Sequence, residues 1–173
     1  MNPDSPTLGT LLRHLIELLD GDLEAVYRDA GLVDYRPRYT PVVRALLDIG
    51  PSPIRDVARR VGITHSAASQ TVAQMVQNEL LALQPGADAR ERVVHMTPKL
   101  RRMLRRLEQQ WAATNVAAAR LDEELTHSLR DAVTGAIGAL ERKPFRERIA
   151  DAGKRTGRHG RHATATAART RRA

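Results

Sequence analysis

Three residues, Gly62-Ile63-Thr64, separate two stretches of helical periodicity, and this short joint constrains the fold more than any other feature of the chain. Upstream, Ile54, Val57, Ala58 and Val61 recur at helical spacing and give a helix one apolar stripe. Ser52-Pro53 ahead of them reads as a capping hydroxyl followed by a proline at the first helical position. Gly62 is placed to end that helix in the left-handed region, where a Cβ would clash. Thr64 then caps a second helix, in which Ala68, Val72, Met75, Val76 and Leu80 face inward, with Ala73 and Glu79 at the margin. So short a glycine-bearing joint is that of a helix-turn-helix.

Leu81 to Gln84 and Arg92 to Met96 alternate apolar and polar residues around Pro85-Gly86-Ala87-Asp88-Ala89-Arg90-Glu91. This predicts a two-stranded β-hairpin whose loop is longer than a tight turn needs. Arg90 and Arg92 sit at or near its tip. Asp88 stands two residues before Arg90 and can orient its guanidinium by a salt bridge. An arginine so held can reach into a minor groove; the plainer alternative is a charged hairpin tip.

On the second helix, His65, Ser66, Ala67, Ser69, Gln70 and Gln74 remain outside the apolar stripe. They are small or amide-bearing and carry no carboxylate, where a solvent face ordinarily carries Glu and Lys. Gln70 can pair with an adenine edge, and Ser66 and Ser69 can meet bases or phosphates. The alternative is a solvent face that happens to be polar and uncharged.

Flanking segments frame this unit. Leu8, Leu11, Leu12, Leu15, Ile16, Leu18 and Leu19 predict an N-terminal helix, interrupted at Asp20-Gly21-Asp22, with a second short helix over Leu23 to Ala30 stopped by Gly31. After a proline-bearing loop at 35–41, Thr40 and Pro41 predict a capped helix with Val42, Val43, Leu46, Leu47 and Ile49 on its buried side. Thr97-Pro98 opens another helix, with Leu100, Met103, Leu104, Leu107 and Trp111 inward and Arg101, Arg102, Arg105 and Arg106 outward. Leu121-Asp122 restarts the pattern, carried on by Leu125, Leu129, Val133, Ile137 and Leu140. These helices hold more apolar surface than a small winged domain covers, which points to a homodimer. The expected division is 1–40 N-terminal helices within a dimerisation region, 41–97 the DNA-binding domain, 98–150 C-terminal dimerisation helices, and 151–173 a disordered basic tail.

Charge follows the same division. Residues 51–106 hold ten basic and four acidic side chains, and 151–173 hold seven and one, whereas 1–50 and 107–150 are mildly acidic. A polyanion partner, double-stranded DNA, is the natural inference. Aromatic residues are only 3% of the chain, so the core must be aliphatic, which suits packed helices. The chain has no cysteine, which excludes disulfides and thiol redox sensing. No apolar run reaches a membrane span and no signal-peptide pattern stands at the start, so a soluble cytoplasmic protein without membrane attachment is expected. No nucleophile elbow, phosphate loop or paired-carboxylate motif is visible, and the six histidines are scattered. Neither catalytic residues, a metal site nor a cofactor is expected.

Ile54-Arg55-Asp56-Val57-Ala58-Arg59-Arg60-Val61-Gly62-Ile63-Thr64, Ser69-Gln70-Thr71-Val72, Leu80-Leu81 and Asp88-Ala89-Arg90-Glu91-Arg92-Val93-Val94-His95-Met96-Thr97 together resemble the MarR family of winged-helix transcription regulators, over about residues 41–107. The most specific part is the hairpin's Asp-x-Arg followed by a short apolar strand and threonine. The resemblance implies a mainly α fold: a winged helix-turn-helix with flanking N- and C-terminal dimerisation helices and a two-stranded β wing. It implies a homodimer that represses or activates at a pseudo-palindromic operator and is tuned by a small-molecule effector. It places Ser66, Ala67, Ser69 and Gln70 on the major-groove helix, Arg90 on the wing arginine and Asp88 on the acid that orients it. It projects the effector near His14, Tyr35, Arg38, Tyr39 and Trp111. Lys99 departs from the family pattern, which often has glycine there. The competing reading is an architectural DNA binder, driven by the basic surface and tail with little regard for sequence.

Overall fold

Leu8–Asp29 is one uninterrupted helix, α1, in the computed structural model, which describes residues 5–86 and 91–154. The expected break at Asp20-Gly21-Asp22 does not occur. A glycine inside a helix costs about 1 kcal/mol, and nothing at Gly21 forces a turn when helical segments propagate from both sides. Thr7 caps the helix, its hydroxyl accepting from Thr10 N at 3.2 Å. Gly31, at φ +72, turns the chain after it.

A 3₁₀ turn, Pro37–Tyr39, runs straight into α2, Thr40–Ile49. Thr40 is therefore already helical and caps nothing; its hydroxyl oxygen accepts from the Tyr35 hydroxyl at 3.2 Å. The buried side of α2 is Val42, Val43, Ala45 and Leu46, with Leu47 and Ile49 exposed. Gly50, at φ +73, closes the helix.

Ser52-Pro53 also does something other than cap. It forms a short strand, β1, and α3, Ile54–Val61, begins with no side-chain cap. The Ser52 hydroxyl donates to the Gly50 carbonyl at 3.1 Å. After α4, His65–Gln77, come β2, Leu81–Pro85, and β3, Arg92–Met96. The sheet order is β1-β3-β2, all antiparallel, with Leu83 opposite Val94 on one side of β3 and Ser52 opposite Val94 on the other. The expected hairpin thus gains a third strand, because β3 offers a second row of backbone donors and acceptors that the chain entering α3 fills.

α5, Pro98–Glu123, and α6, Leu129–Arg142, complete the longer helices, and 145–154 are helical as well. The break between α5 and α6 falls at 124–128, a few residues after the expected restart at Leu121-Asp122. It is set by capping rather than by glycine or proline: Asp122 Oδ1 accepts from Leu129 N at 2.6 Å, and Ser128 Oγ accepts from Asp131 N at 3.1 Å. The helix over 145–154 runs past the composition boundary at 151; the rest of that tail, 155–173, lies outside the described residues.

The chain divides into two compact units at Thr114/Asn115. The first holds one core, with Leu32, Val43, Val57, Val72, Met75, Leu80, Val94, Leu100 and Leu107 fully buried. Tyr27, Tyr35 and Tyr39 join it edge to face, at centroid separations of 5.3 and 5.9 Å. Of α1, only Tyr27 is buried; Leu11, Leu12, Ile16, Leu18 and Leu19 stay exposed. In the second unit α6 buries no residue, and Val133, Ile137, Leu140, Phe145 and Ile149 are exposed. Apolar area left in water at about 25 cal/mol per Å² is a standing drive toward association.

Candidate nucleic-acid interface

The joint between α3 and α4 is built as its residues dictate. Gly62 adopts φ +78 and ψ 29, and Gly62 N and Ile63 N both donate to the Ala58 carbonyl, at 2.9 and 3.1 Å. These bonds satisfy the carbonyl that the end of α3 leaves open. Thr64 is extended, and its hydroxyl accepts from Ala67 N at 3.2 Å. Ala68, Val72 and Met75 anchor α4 in the core.

That anchoring decides which residues face out. His65, Ser66, Ala67 and Gln70 are exposed, while Ser69 and Gln74 are half-buried at the edges of the same face. No acidic residue occurs between Asp56 and Glu79. The open end of a thirteen-residue helix, with unpaired N–H groups and no carboxylate in its first turn, is electrostatically suited to a phosphate.

The wing stands beside it. β2 and β3 pair from Leu81 opposite Met96 to Pro85 opposite Arg92, and Gly86 N donates to the Glu91 carbonyl at 2.9 Å where the loop begins. Arg92 is exposed at the start of β3. Asp88 and Arg90, the expected wing-tip pair, lie outside the described residues. Two residues to which the sequence assigns no joint role tie the loop end of the wing to α3: Arg55 Nη2 lies 2.8 Å from Glu91 Oε1. The signal available was only two opposite charges thirty-six positions apart, which no local pattern joins.

Not all the basic residues of this region are free to meet an anion. Arg60 pairs with Asp48 at 2.5 Å, and Arg59 pairs with Asp56. Both arginines line an open cleft of about 500 Å³ with Ile49, Ser52 and Asp56, which is therefore mixed in charge. Arg101, Arg102, Arg105 and Arg106 are exposed along α5, as its periodicity predicts.

The end of α4 is tied down by polar contacts. Asn78, its C-cap, donates from Nδ2 to the Asp34 carbonyl and to the Tyr39 hydroxyl oxygen, each at 3.2 Å. Lys99 Nζ donates to the Asn78 carbonyl at 3.0 Å and lies 2.7 Å from Asp34 Oδ2. Thr97 caps α5 by accepting from Leu100 N at 3.3 Å, while its own hydroxyl donates toward the Glu79 carbonyl at 2.7 Å. The wing threonine thus fixes two elements at once.

Of the residues projected to line an effector site, His14 and Arg38 are exposed, and Tyr35, Tyr39 and Trp111 belong to the core of the first unit. Burial pushes the Tyr35 hydroxyl well above the ordinary tyrosine range, so it stays a protonated donor to Thr40. Arg38 lies 5.6 Å from the Tyr39 ring centroid, and Arg44 lies 4.8 Å from that of Trp111. The Trp111 Nε1 donor is buried and has no hydrogen-bond partner among the described residues. Also among the described residues, no group of three or more His, Asp or Glu could hold a metal ion, and no helix is long and apolar enough to cross a membrane.

No protein-family model matches the chain, and no curated protein matches it by sequence. Solved structures do match by fold. The M. tuberculosis transcriptional regulator MOSR, solved in complex with DNA, is 18% identical over 80% of this chain and 99% of its own, with a TM-score of 0.62. A MarR protein from Peptoclostridium difficile is 11% identical over 85% of this chain and 93% of its own, with a TM-score of 0.59. The PcaV transcriptional regulator from Streptomyces coelicolor, solved with its natural ligand, is 20% identical over 80% and 97%, with a TM-score of 0.56. These likenesses cover nearly the whole of each regulator, and with the three-stranded wing and the glycine-jointed helix pair they show that this chain has the winged-helix fold of the MarR-type transcriptional regulators.

Proposed function

We propose that the chain is a sequence-specific DNA-binding transcription regulator of MarR type, a cytoplasmic protein without enzymatic activity. The observation that carries this reading is the outward face of α4. His65, Ser66, Ala67, Ser69, Gln70 and Gln74 line a capped helix free of carboxylates, set beside a wing on whose exposed arm Arg92 stands. Gln70 offers the bidentate amide that matches an adenine edge, Ser66 and Ser69 offer hydroxyls, and Arg90 with Asp88 serves the wing.

The regulator works as a homodimer on a pseudo-palindromic operator. Support comes from the exposed leucines of α1 and the uncovered apolar side chains of α6, which are costly to leave in water. Two copies related by a two-fold axis present two α4 helices to half-sites about one helical turn apart.

A small-molecule effector modulates it. Solved with a natural ligand, PcaV shares this fold, and here the Trp111 Nε1 donor and the Arg44 guanidinium stacked on the indole suit a ligand carrying an acceptor or an anionic group. His14, Arg38, Tyr35 and Tyr39 belong to the same reading.

The test is a salt titration of binding to the protein's own upstream DNA against random duplex, with mapping of the protected region. A regulator keeps a specificity ratio of about 10³ or more at physiological salt and protects two half-sites. The basic 151–173 segment favours a second reading, an architectural binder, in which the two affinities fall in parallel. Equal affinity for both duplexes would establish that second reading in place of the first.

A further inference from the structure

We infer that Asn78 and Lys99 form a junction that sets the direction of α4 from the segment 34–39, so that Lys99 and Tyr39 are positioning residues for DNA recognition without touching DNA. The inference rests on the reading of α4 as a DNA-recognition helix.

Three separate pieces of chain meet at this point: the Asp34–Tyr39 segment, the end of α4, and the Thr97 cap with the first turn of α5. Asn78 closes α4 and spends both protons of its amide on the first piece, one on the Asp34 carbonyl and one on the Tyr39 hydroxyl. Lys99 reaches back from α5 to both sides of that contact, donating to the Asn78 carbonyl and pairing with the Asp34 carboxylate, with Glu79 Oε2 at 3.8 Å. Asn78, Asp34 and Lys99 therefore each touch the other two, and Tyr39 joins this triangle through Asn78.

The backbone beside it is committed. Glu79 is the non-glycine residue with positive φ among those described, at +58. Such a conformation costs about 1 kcal/mol or more and persists where surroundings fix it. Here the surroundings are Glu79 N on the Val76 carbonyl at 2.9 Å, Leu80 N on the Met75 carbonyl at 2.8 Å and the Thr97 hydroxyl on the Glu79 carbonyl. The hydrogen bond that Lys99 donates to the Asp34 carboxylate holds its ammonium above the ordinary lysine range.

Leverage makes the junction matter. A thirteen-residue helix is about 20 Å long, so a tilt of about 5° at Asn78 moves Ser66 by about 2 Å. Hydrogen bonds to base edges tolerate a few tenths of that. On the other side, Tyr39 packs edge to face on Tyr35, and Tyr35 on Tyr27 near the end of α1. A displacement of that aromatic row reaches the C-cap of α4 through a single hydroxyl. Lys99 is the residue that closes this junction from the side of α5.

The experiment uses the full chain and a duplex enriched from random sequence by the wild-type protein, against a scrambled duplex of the same length and composition. Lys99→Met, Lys99→Arg and Tyr39→Phe are compared for both affinities, for salt slope and for melting temperature. The expected result is about a tenfold loss on the enriched duplex for Lys99→Met, less than about twofold on the scrambled one, an unchanged salt slope and recovery in Lys99→Arg. Tyr39→Phe, which removes one oxygen and keeps the ring, shows the same selective loss in a folded protein. A parallel loss on both duplexes with a slope reduced by about one makes Lys99 a phosphate contact and overturns the inference. Unchanged affinities in Lys99→Met and Tyr39→Phe overturn it as well. If enrichment yields no duplex that the wild-type protein prefers, the reading of α4 as a recognition helix has failed, and the inference with it.

Discussion

Arg55 Nη2 lies 2.8 Å from Glu91 Oε1, which ties the first helix of the helix-turn-helix to the descending arm of the wing. Both side chains are partly exposed, so the pair adds at most about 1 kcal/mol to stability. Its consequence is geometric: Glu91 directly follows Arg90 and precedes Arg92, and its carbonyl also holds Gly86 N. Glu91→Gln and Arg55→Gln should each weaken binding to an operator several-fold, and the double variant should be no worse than either single one. Additive losses in a quantitative binding assay would mean that Arg55 and Glu91 act separately.

Two glycines should respond to the same substitution with opposite signs. Gly62 sits at φ +78 with nothing within 4 Å of an added Cβ, so Gly62→Ala meets backbone strain alone and should destabilise by about 1–2 kcal/mol. Gly21 is inside α1, also with nothing within 4 Å, and Gly21→Ala should stabilise by about 0.5–1 kcal/mol. Urea denaturation of both variants measures the difference; a stabilised Gly62→Ala would contradict the left-handed turn.

Leu107 is fully buried, and Leu107→Ala should cost about 2–5 kcal/mol from lost transfer energy and the cavity left behind. Leu12 is 42% exposed on α1, and in an isolated chain Leu12→Ser should fall within about 0.5 kcal/mol of wild type. A homodimer reverses that expectation. The Leu12→Ser loss then grows as protein concentration falls, and sedimentation shows a weakened dimer. A concentration-independent, negligible effect would remove α1 from the dimer surface.

Acid should loosen α6 before the core. The Ser128 hydrogen bond, followed by the backbone N–H groups of Leu129 and Arg130, holds the Asp122 carboxyl below its usual range. A depressed carboxyl contributes stability that is fully present above its unfolded pKa, near 3.9, and is lost as pH falls through the lower folded value. Helicity followed from pH 6 down to about pH 2 should fall at this step in wild type, and Asp122→Asn should flatten it. An identical acid profile in the variant would dismiss the Asp122 cap.

On DNA, Gln70→Ala should cost about 1–3 kcal/mol and relax preference at one base pair, if its amide reads an adenine. Arg90→Ala should cost a similar amount with a broader loss, because a groove-inserted arginine reads shape as well as charge. Selection from random duplexes by each variant distinguishes the two; a Gln70→Ala variant with unaltered base preference would assign that side chain to solvent.

The core of the site was legible in local chemistry. Gly62 needed a left-handed residue, Thr64 needed a cap position, and the spacing of Ala68, Val72 and Met75 left one face of α4 outside. Each of these depends on neighbours within about four positions, and helical geometry makes that distance self-contained. The same locality misled at Asp20-Gly21-Asp22, where two helix-weak residues and a glycine resemble a stop but lie in the middle of α1.

Signals that join distant parts were silent until the chain folded. Ser52 and Thr40 had the residue types of caps, yet Ser52 became a strand because distant Val94 offered it a ladder partner, and Thr40 was taken into α2 by the turn that precedes it. Nothing near Asn78 in the chain announces Asp34, Tyr39 or Lys99, and nothing near Arg55 announces Glu91. The sequence by itself determined the helix-turn-helix, the hairpin and the uncharged face, since short-range backbone and capping energies suffice for them. Only the tertiary structure decided the third strand and the polar junctions that hold α4 and the wing in place, since those bonds form only when segments tens of residues apart are brought within about 3 Å by burial of a common core.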